Sequence, residues 1–335
     1  MLRGARLAGS EGGIVSGAAA SARSNIALIK YWGKSASGDN RTAVPSLSLT
    51  LAALTTKTRV ELDPALEDDE VELDGAPVHG KARERVVRVL SELRALGGKR
   101  ERARVRSHND FPTASGLASS ASGFAALVVA GSAAYGLGLS AAEQSALSRR
   151  ASASAARSIF GGWAELLADA DSASEIFPPD YLDLKVVIAL TTLGPKAVGS
   201  TSGMLQTQAT SPYYAAWVSE APALFERAKR ALAERDFPSL GEAMEASTMM
   251  MHASMLAARP ALVYLRGATL DVLERVRLLR ADGIAAYATM DAGPHVKVFV
   301  PSGDAPRVEA ALLGVSGVER VVVSEPGAGA RVEAG

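Results

Sequence analysis

A two-domain α+β fold is what this sequence predicts. Three observations carry the prediction. The first half is rich in strands with few helices, the second half is mostly helical, and its end reads strand, strand, helix, strand. A chain of 335 residues has room for about two domains of roughly 100–200 residues each. A boundary near 190 divides it into 18–190 and 191–330, with the Asp/Ser/Pro-rich stretch near 175 as the alternative.

Each element has a local reason. The first residues, 1–17, are rich in Gly, Ala and Ser and read as a disordered leader. They start weakly basic but lack the continuous apolar run of a signal peptide. Residues 45–63 alternate toward their end, with Thr58, Val60 and Leu62 against Lys57, Arg59, Glu61 and Asp63, as a half-buried strand does. A short strand at 69–73 meets an Asp74-Gly75 turn. Val86, Val89, Leu90, Leu93 and Leu96 line one stripe of a helix over 81–96, which Gly97-Gly98 stops. Residues 102–108 read as a strand, and 112–138 as a Pro/Gly/Ser loop entering a small-residue helix. Ser140 with Glu143 forms a capping box for a helix over 140–154. Strand 183–192 precedes a loop at 193–204. Helices follow at 213–235, 238–257 and 267–281, strands at 284–290 and 295–300, a helix at 304–314 and a strand at 318–323.

Composition excludes several functions. Hydrophobic residues make up 48% and charged residues 21%, so a sizeable core can form. Lys plus Arg number 36 and Asp plus Glu 36, so no whole-chain field attracts nucleic acid. With no cysteine, disulfides, thiolate nucleophiles and Cys-ligated zinc are impossible. No run of eighteen apolar residues predicts a membrane span, and the cytoplasm is the default compartment. The four histidines, His79, His108, His252 and His295, have no metal-site spacing. An enzymatic base would be a carboxylate or a lysine.

Four segments can carry chemistry. Pro112–Leu127, PTASGLASSASGFAAL, runs a Gly/Ser loop into a helix N-terminus, whose unpaired N–H groups and partial positive charge suit phosphate. Gly116 permits close backbone approach, and Ser119 and Ser120 offer hydroxyls to phosphate or metal. Neither a Walker A pattern nor GxGxxG occurs, and a tightly packed small-residue helix is the competing reading. Asn25–Lys34, NIALIKYWGK, places Lys34 after Gly33 at a turn where an ammonium can meet an anion. An edge strand with solvated lysines is its plainer explanation. In Arg149–Trp163, Ser152, Ser154 and Arg157 fall within two helical turns, and an arginine among small apolar residues wants a fixed anionic partner. A structural salt bridge competes. In Thr289–Val300, Asp291 sits where a strand breaks at Ala292-Gly293-Pro294, well placed to act on a ligand or to stabilise the turn. Together these supply a phosphate loop, a general base and cations, as phosphoryl transfer requires.

With these segments in order, together with PSLSLTL, RSIFGGW and STSGM, the chain resembles the diphosphomevalonate decarboxylases of the GHMP kinase superfamily from about Ala18 to about Val323. The Pro112 segment alone indicates only the superfamily; KYWGK with RSIFGGW and DAGP points to the decarboxylase branch. The resemblance implies a GHMP kinase fold, with an N-terminal domain like domain 2 of ribosomal protein S5 and a ferredoxin-like C-terminal domain. It implies a homodimer, with mevalonate 5-diphosphate and ATP as substrates and Mg2+ as cofactor. By resemblance, Asp291 takes the C3 hydroxyl proton, Lys30 polarises the same region and Arg157 holds the substrate carboxylate. Tyr31, Lys34, Ser152, Ser154 and Ser200 fall on the substrate side. Ser107, Pro112, Gly116, Leu117, Ala118, Ser119 and Ser120 fall on the ATP side, with Ser119 and Ser120 at the metal. A basic residue from Lys81, Arg83 and Arg85 reaches the diphosphate, Arg85 being the choice. The chain departs from the family where Ala151 and Ala153 replace glycines, Ala156 replaces cysteine and His295 replaces asparagine. A phosphomevalonate decarboxylase, a mevalonate 3-kinase, an ordinary small-molecule kinase and a non-catalytic S5-like binding module are the rival functions.

Overall fold

Small side chains let the first sheet and its helix approach closely. Ala20 and Ala22 of β1 (Gly17–Ile29) pack beneath α2 (Ser119–Ala134), and Ser122 of α2 hydrogen-bonds Ser24 and Thr56 at 3.3 and 2.7 Å. The computed structural model describes residues 17–111, 119–191 and 198–333. Most of the expected leader, and Pro112, Gly116, Leu117 and Ala118 of the expected phosphate loop, lie outside the described residues.

β1 runs antiparallel to the long β2 (Ser46–Asp63), from Gly17 opposite Glu61 to Ile29 opposite Leu47. The sheet continues through β3 (Glu70–Leu73), β4 (Ala76–Pro77) and β5 (Arg102–Asn109), with β3 parallel to β5. Asp74 and Gly75 form the β3–β4 turn at φ 51 and 81, both left-handed, as a tight hairpin requires. β6 (Trp163–Leu166) pairs with the start of β2, and β7 (Ser174–Phe177) with β6. Helices α1 (Gly80–Leu96) and α3 (Ala141–Ala151) flank α2, which is apolar all round because it is buried all round.

The second lobe is a four-stranded antiparallel sheet of β8 (Leu184–Leu190), β9 (Tyr287–Met290), β10 (Val296–Pro301) and β11 (Arg320–Ser324), in the order β11-β8-β10-β9. Its connections run through helices α4 (Ser200–Thr210), α5 (Tyr214–Ala233), α6 (Phe237–Leu256), α7 (Gly267–Ala281) and α8 (Ala305–Leu313). That order and connectivity are ferredoxin-like. Sheet membership changes before Leu184 rather than at 190, since β8 is central to the second sheet. Strand β12 (Arg331–Val332) returns to pair with β1.

Several expectations need correction. The helix expected over 140–154 ends at Ala151, because Ser152 is extended (φ −154, ψ 119) and a 3-10 helix spans Ala153–Ile159. Its Ser140–Glu143 capping box is formed. The loop expected at 193–204 is helical from Ser200. The strand expected at 284–290 begins at Tyr287. The lysine-bearing segment is no strand with solvated lysines: residues 25–29 pair with β2, and Lys30 just beyond them is 2% exposed.

The two lobes share one core. Ile26 and Leu28 of β1, Leu49 of β2, Ile188 of β8, Met244 of α6 and Phe299 of β10 belong to a single buried cluster. That core fixes the end of β1 against the end of β9, where the site lies.

Candidate functional site

The chain leaves β1 at Lys30 and alternates sharply. Trp32 turns inward, its Nε1 donating to Thr207 Oγ1 at 2.9 Å, while Trp217 Nε1 donates to the Trp32 carbonyl at 2.8 Å. Gly33 adopts φ +125, and a Cβ there would meet Tyr214 Oη at 2.0 Å, so only glycine fits. With Trp32 locked in the core, Lys30, Tyr31 and Lys34 all border one cleft of about 580 Å³, a volume usual for small-molecule sites.

Asp291, just past β9, is bracketed by two ammonium groups. Lys30 Nζ donates to Oδ1 at 2.7 Å and Lys297 Nζ to Oδ2 at 3.0 Å. Burial alone would raise its carboxyl, but Lys297 and Lys30 outweigh burial and hold it well below the usual carboxylate range. The balance is physically reasonable. Removing a charge from water costs several kcal/mol, and a single opposite charge at about 4 Å returns roughly 4 kcal/mol at an effective dielectric near 20. Two such charges leave Asp291 ionised. Lys30 is lowered to about 8, chiefly by burial, with Asp291 opposing and Lys297 and Arg157 adding to the fall.

Arg157, 1% exposed, is held by neutral oxygens rather than a carboxylate. Its Nε donates to Asn25 Oδ1 at 3.2 Å and Ser48 Oγ at 3.0 Å, and Nη1 to Ser46 Oγ at 2.6 Å. A guanidinium satisfied this way is fixed in place, and its charge remains available to a bound anion. Its pKa falls, mainly through burial. Lys34 is likewise lowered to about 8 by burial and then by Arg85 and Arg149, and its Nζ donates to Asn40 Oδ1. Arg85 spends Nε and Nη2 on the Ala151 carbonyl at 3.2 and 2.6 Å and lies over the Phe124 ring. It lines the cleft, whereas Arg83 pairs with Asp68 at 2.6 Å and Lys81 is exposed.

Ser152 and Ser154 lie on the same wall, their hydroxyls 3.2 Å apart. Ser200 borders the cleft from the first residue of α4, joined by Thr201 and Ser202. Ser119 and Ser120 border it from the first turn of α2, and Ser107 from β5, hydrogen-bonded to Thr58 at 2.7 Å. Val71, Val78, Val86, Val105, Phe124 and Leu127 make the far end apolar. Every expected site residue that is described therefore borders one cavity.

Sequence reasoning missed the residues that hold this set together. Asn25, Ser46 and Ser48 seat Arg157; Asn40 steers Lys34; Lys297 caps Asp291. One signal was present: Ser46, Ser48 and Thr50 repeat every second residue, a polar file on an otherwise apolar strand. Lys297 gave none, since a lysine in a strand reads as solvated.

Among the described residues no group of three or more His, Asp or Glu can hold a metal ion. Magnesium beside a nucleotide needs no such group, because waters and phosphate oxygens fill most of its octahedron and the protein supplies one or two oxygens, a Ser or Thr hydroxyl among them. The Ser119 and Ser120 hydroxyls at the cleft fit that demand.

Two α+β lobes and a cleft with a helix N-terminus, the lysine-bracketed Asp291 carboxylate and four bordering cations define a small-molecule enzyme of the GHMP kinase type. The chain matches a model of the diphosphomevalonate decarboxylase-like N-terminal domain over residues 22–176 and one of the mevalonate 5-diphosphate decarboxylase C-terminal domain over 186–327. The chain belongs to the diphosphomevalonate decarboxylase family. It is 33% identical to the Candida albicans diphosphomevalonate decarboxylase, covering 85% of this chain and 84% of that one. The solved Staphylococcus aureus mevalonate diphosphate decarboxylase superposes with a TM-score of 0.90 at 34% identity, covering 96% of this chain and 99% of that one. The Enterococcus faecalis enzyme superposes at 0.86 with 37% identity over 95% and 99% of the two chains. A further match is MDDEF in complex with MVAPP, AMPPCP and magnesium, with a TM-score of 0.88, 38% identity and coverage of 95% and 99%.

Proposed function

We propose that this chain decarboxylates mevalonate 5-diphosphate at the expense of ATP, giving isopentenyl diphosphate, ADP, phosphate and carbon dioxide. The carrying observation is that the Asp291–Lys30 pair, Arg157 and the Ser119–Ser120 helix start border one cavity. The cytoplasm is its proposed place of action.

A tertiary hydroxyl leaves poorly, and phosphorylation at C3 makes it a good leaving group. Asp291 is too strongly held by its two lysines to act as a strong base. It accepts a hydrogen bond from the C3 hydroxyl, aligning that oxygen with the γ-phosphorus, and takes the proton late, once the forming P–O bond has acidified it. Lys30 offsets negative charge at the same oxygen. Arg157 holds the carboxylate so that carbon dioxide departs as the C3–O bond breaks and the electron pair forms the alkene. Tyr31, Ser152, Ser154 and Ser200 fix the substrate, and Lys34 and Arg85 oppose its diphosphate. The apolar end receives the adenine, with Ser107 beside it. Ser119 or Ser120 would hold magnesium, which supplies charge neutralisation to the triphosphate. Incubation with ATP and either mono- or diphosphorylated mevalonate tests the assignment. Carbon dioxide, ADP and phosphate in equal amounts from the diphosphate are expected; ADP alone would mark a kinase.

A pH limb follows from the buried lysines. Lys30 and Lys34 lose their protons near pH 8 in the free protein, so kcat/KM for the diphosphate should fall above about 8. A bound polyanion favours the charged lysines and moves the corresponding limb of kcat upward. Equal limbs in both profiles would exclude these lysines as its source.

A further inference from the structure

We propose that Lys297 is a positioning residue that fixes the orientation and charge of Asp291 from behind, without touching substrate. The proposal rests on Asp291 being the proton acceptor. Strand β10 places Val296, Val298 and Val300 in the outer core of the second lobe and Phe299 in the core shared by both lobes. Lys297 therefore projects, with Phe299, toward the shared core. Its side chain is 1% exposed, and its Nζ reaches Asp291 Oδ2 at 3.0 Å. Lys30 and Asp291 border the cleft, and Lys297 does not. The carboxylate is thus gripped on one oxygen by an ammonium substrate can reach and on the other by one it cannot.

That asymmetry has a chemical use. A ligand hydroxyl that binds Oδ1 shares that oxygen with Lys30, an ammonium that itself borders the cleft. Lys297 keeps its own bond throughout, so the carboxylate neither swings nor picks up a solvent proton. The other groups facing Asp291 do not substitute. Arg157, from the 3-10 helix, acts at longer range and is committed to Asn25, Ser46 and Ser48. His252 of α6 is pushed down to about 4, by burial first and Lys30 second, and is neutral at working pH. Tyr31 is raised by burial and carries no charge.

The test compares the full-length protein with Lys297→Met and Lys297→Arg. Lys297→Met should lower kcat about tenfold or more and raise the Asp291 carboxyl toward the ordinary carboxylate range. KM for ATP should stay near its original value, and Lys297→Arg should restore most of both losses. A lower kcat with an unmoved Asp291 carboxyl titration would reduce Lys297 to a packing role and overturn the proposal, as would unchanged kinetics. Carbon-13 NMR titration of the Asp291 carboxyl reads the same shift without turnover. It remains decisive even if the substrate assignment fails. Lys297→Gln supplies the measurement should Lys297→Met not fold.

Discussion

Asp291→Asn is expected to lower kcat by at least the roughly 10²–10⁴-fold that a positioned acid–base group supplies. The reason lies in both partners. The amide cannot take the C3 hydroxyl proton. It also leaves Lys30 and Lys297 facing each other without their shared anion. Asp291 is what raises Lys30 against burial, so its removal drops Lys30 further below about 8. Much of Lys30 is then neutral at physiological pH, and the variant loses a cation as well as a base. The deficit should accordingly widen as pH rises from 6 to 8. ATP binding, proposed for the apolar end of the cleft, should persist by calorimetry. Breaking a buried pair costs about 3–5 kcal/mol, so circular dichroism must accompany the kinetics. A folded variant within tenfold of the original rate would remove Asp291 from the proton step.

The fold was legible where periodicity was long and the site where unusual residues broke it. Strand β2 and helices α1, α5 and α6 carry many residues of one pattern, and each was recovered near its observed ends. Strands β4, β6, β7 and β12 have two to four residues, too few for alternation to register. Helix α4 starts with Ser200, Thr201 and Ser202, residues that favour turns, so its first turn read as a loop. Its placement is tertiary: Thr207 accepts from Trp32, and Gly203 leaves room for Tyr264 and Trp32. At the site, Arg157 stood out as a charge among small apolar residues, Lys34 as an ammonium at the turn after Gly33, Asp291 as a carboxylate at a strand break, and Lys30 as a lysine between apolar neighbours. Lys297 did not, since its burial follows from a sheet packed on both faces. Asn25 sat in a quoted segment, yet its hold on Arg157 spans 132 positions of sequence. The alanines at 151, 153 and 156 lie buried at the bend between α3 and the 3-10 helix, where Ala151 gives its carbonyl to Arg85.

Arg157→Met is the second large effect expected, and it acts at a different step. Removing one side of a desolvated charge contact costs about 2–5 kcal/mol, which is roughly 30- to 5,000-fold in kcat/KM for mevalonate 5-diphosphate. The guanidinium sits on Asn25, Ser46 and Ser48; the two serine hydroxyls can rotate to other partners and the Asn25 amide keeps its bonds to Ser154 and Ser158, so the fold should survive its loss. If Arg157 holds the carboxylate while C3 is phosphorylated elsewhere, the two halves of the reaction should uncouple. ADP formation should then exceed carbon dioxide release, with a C3-phosphorylated diphosphate accumulating in the quench. Arg157→Lys retains charge but not the two-pronged grip, so it should recover affinity more than coupling. Equal, small losses of ADP and carbon dioxide in both variants would show that the carboxylate is held by other groups. Because Asp291 and Arg157 border one cavity from different lobes, the double variant discriminates further. A proton step that precedes decarboxylation makes the Asp291→Asn loss dominate, and adding Arg157→Met should then change kcat little beyond it.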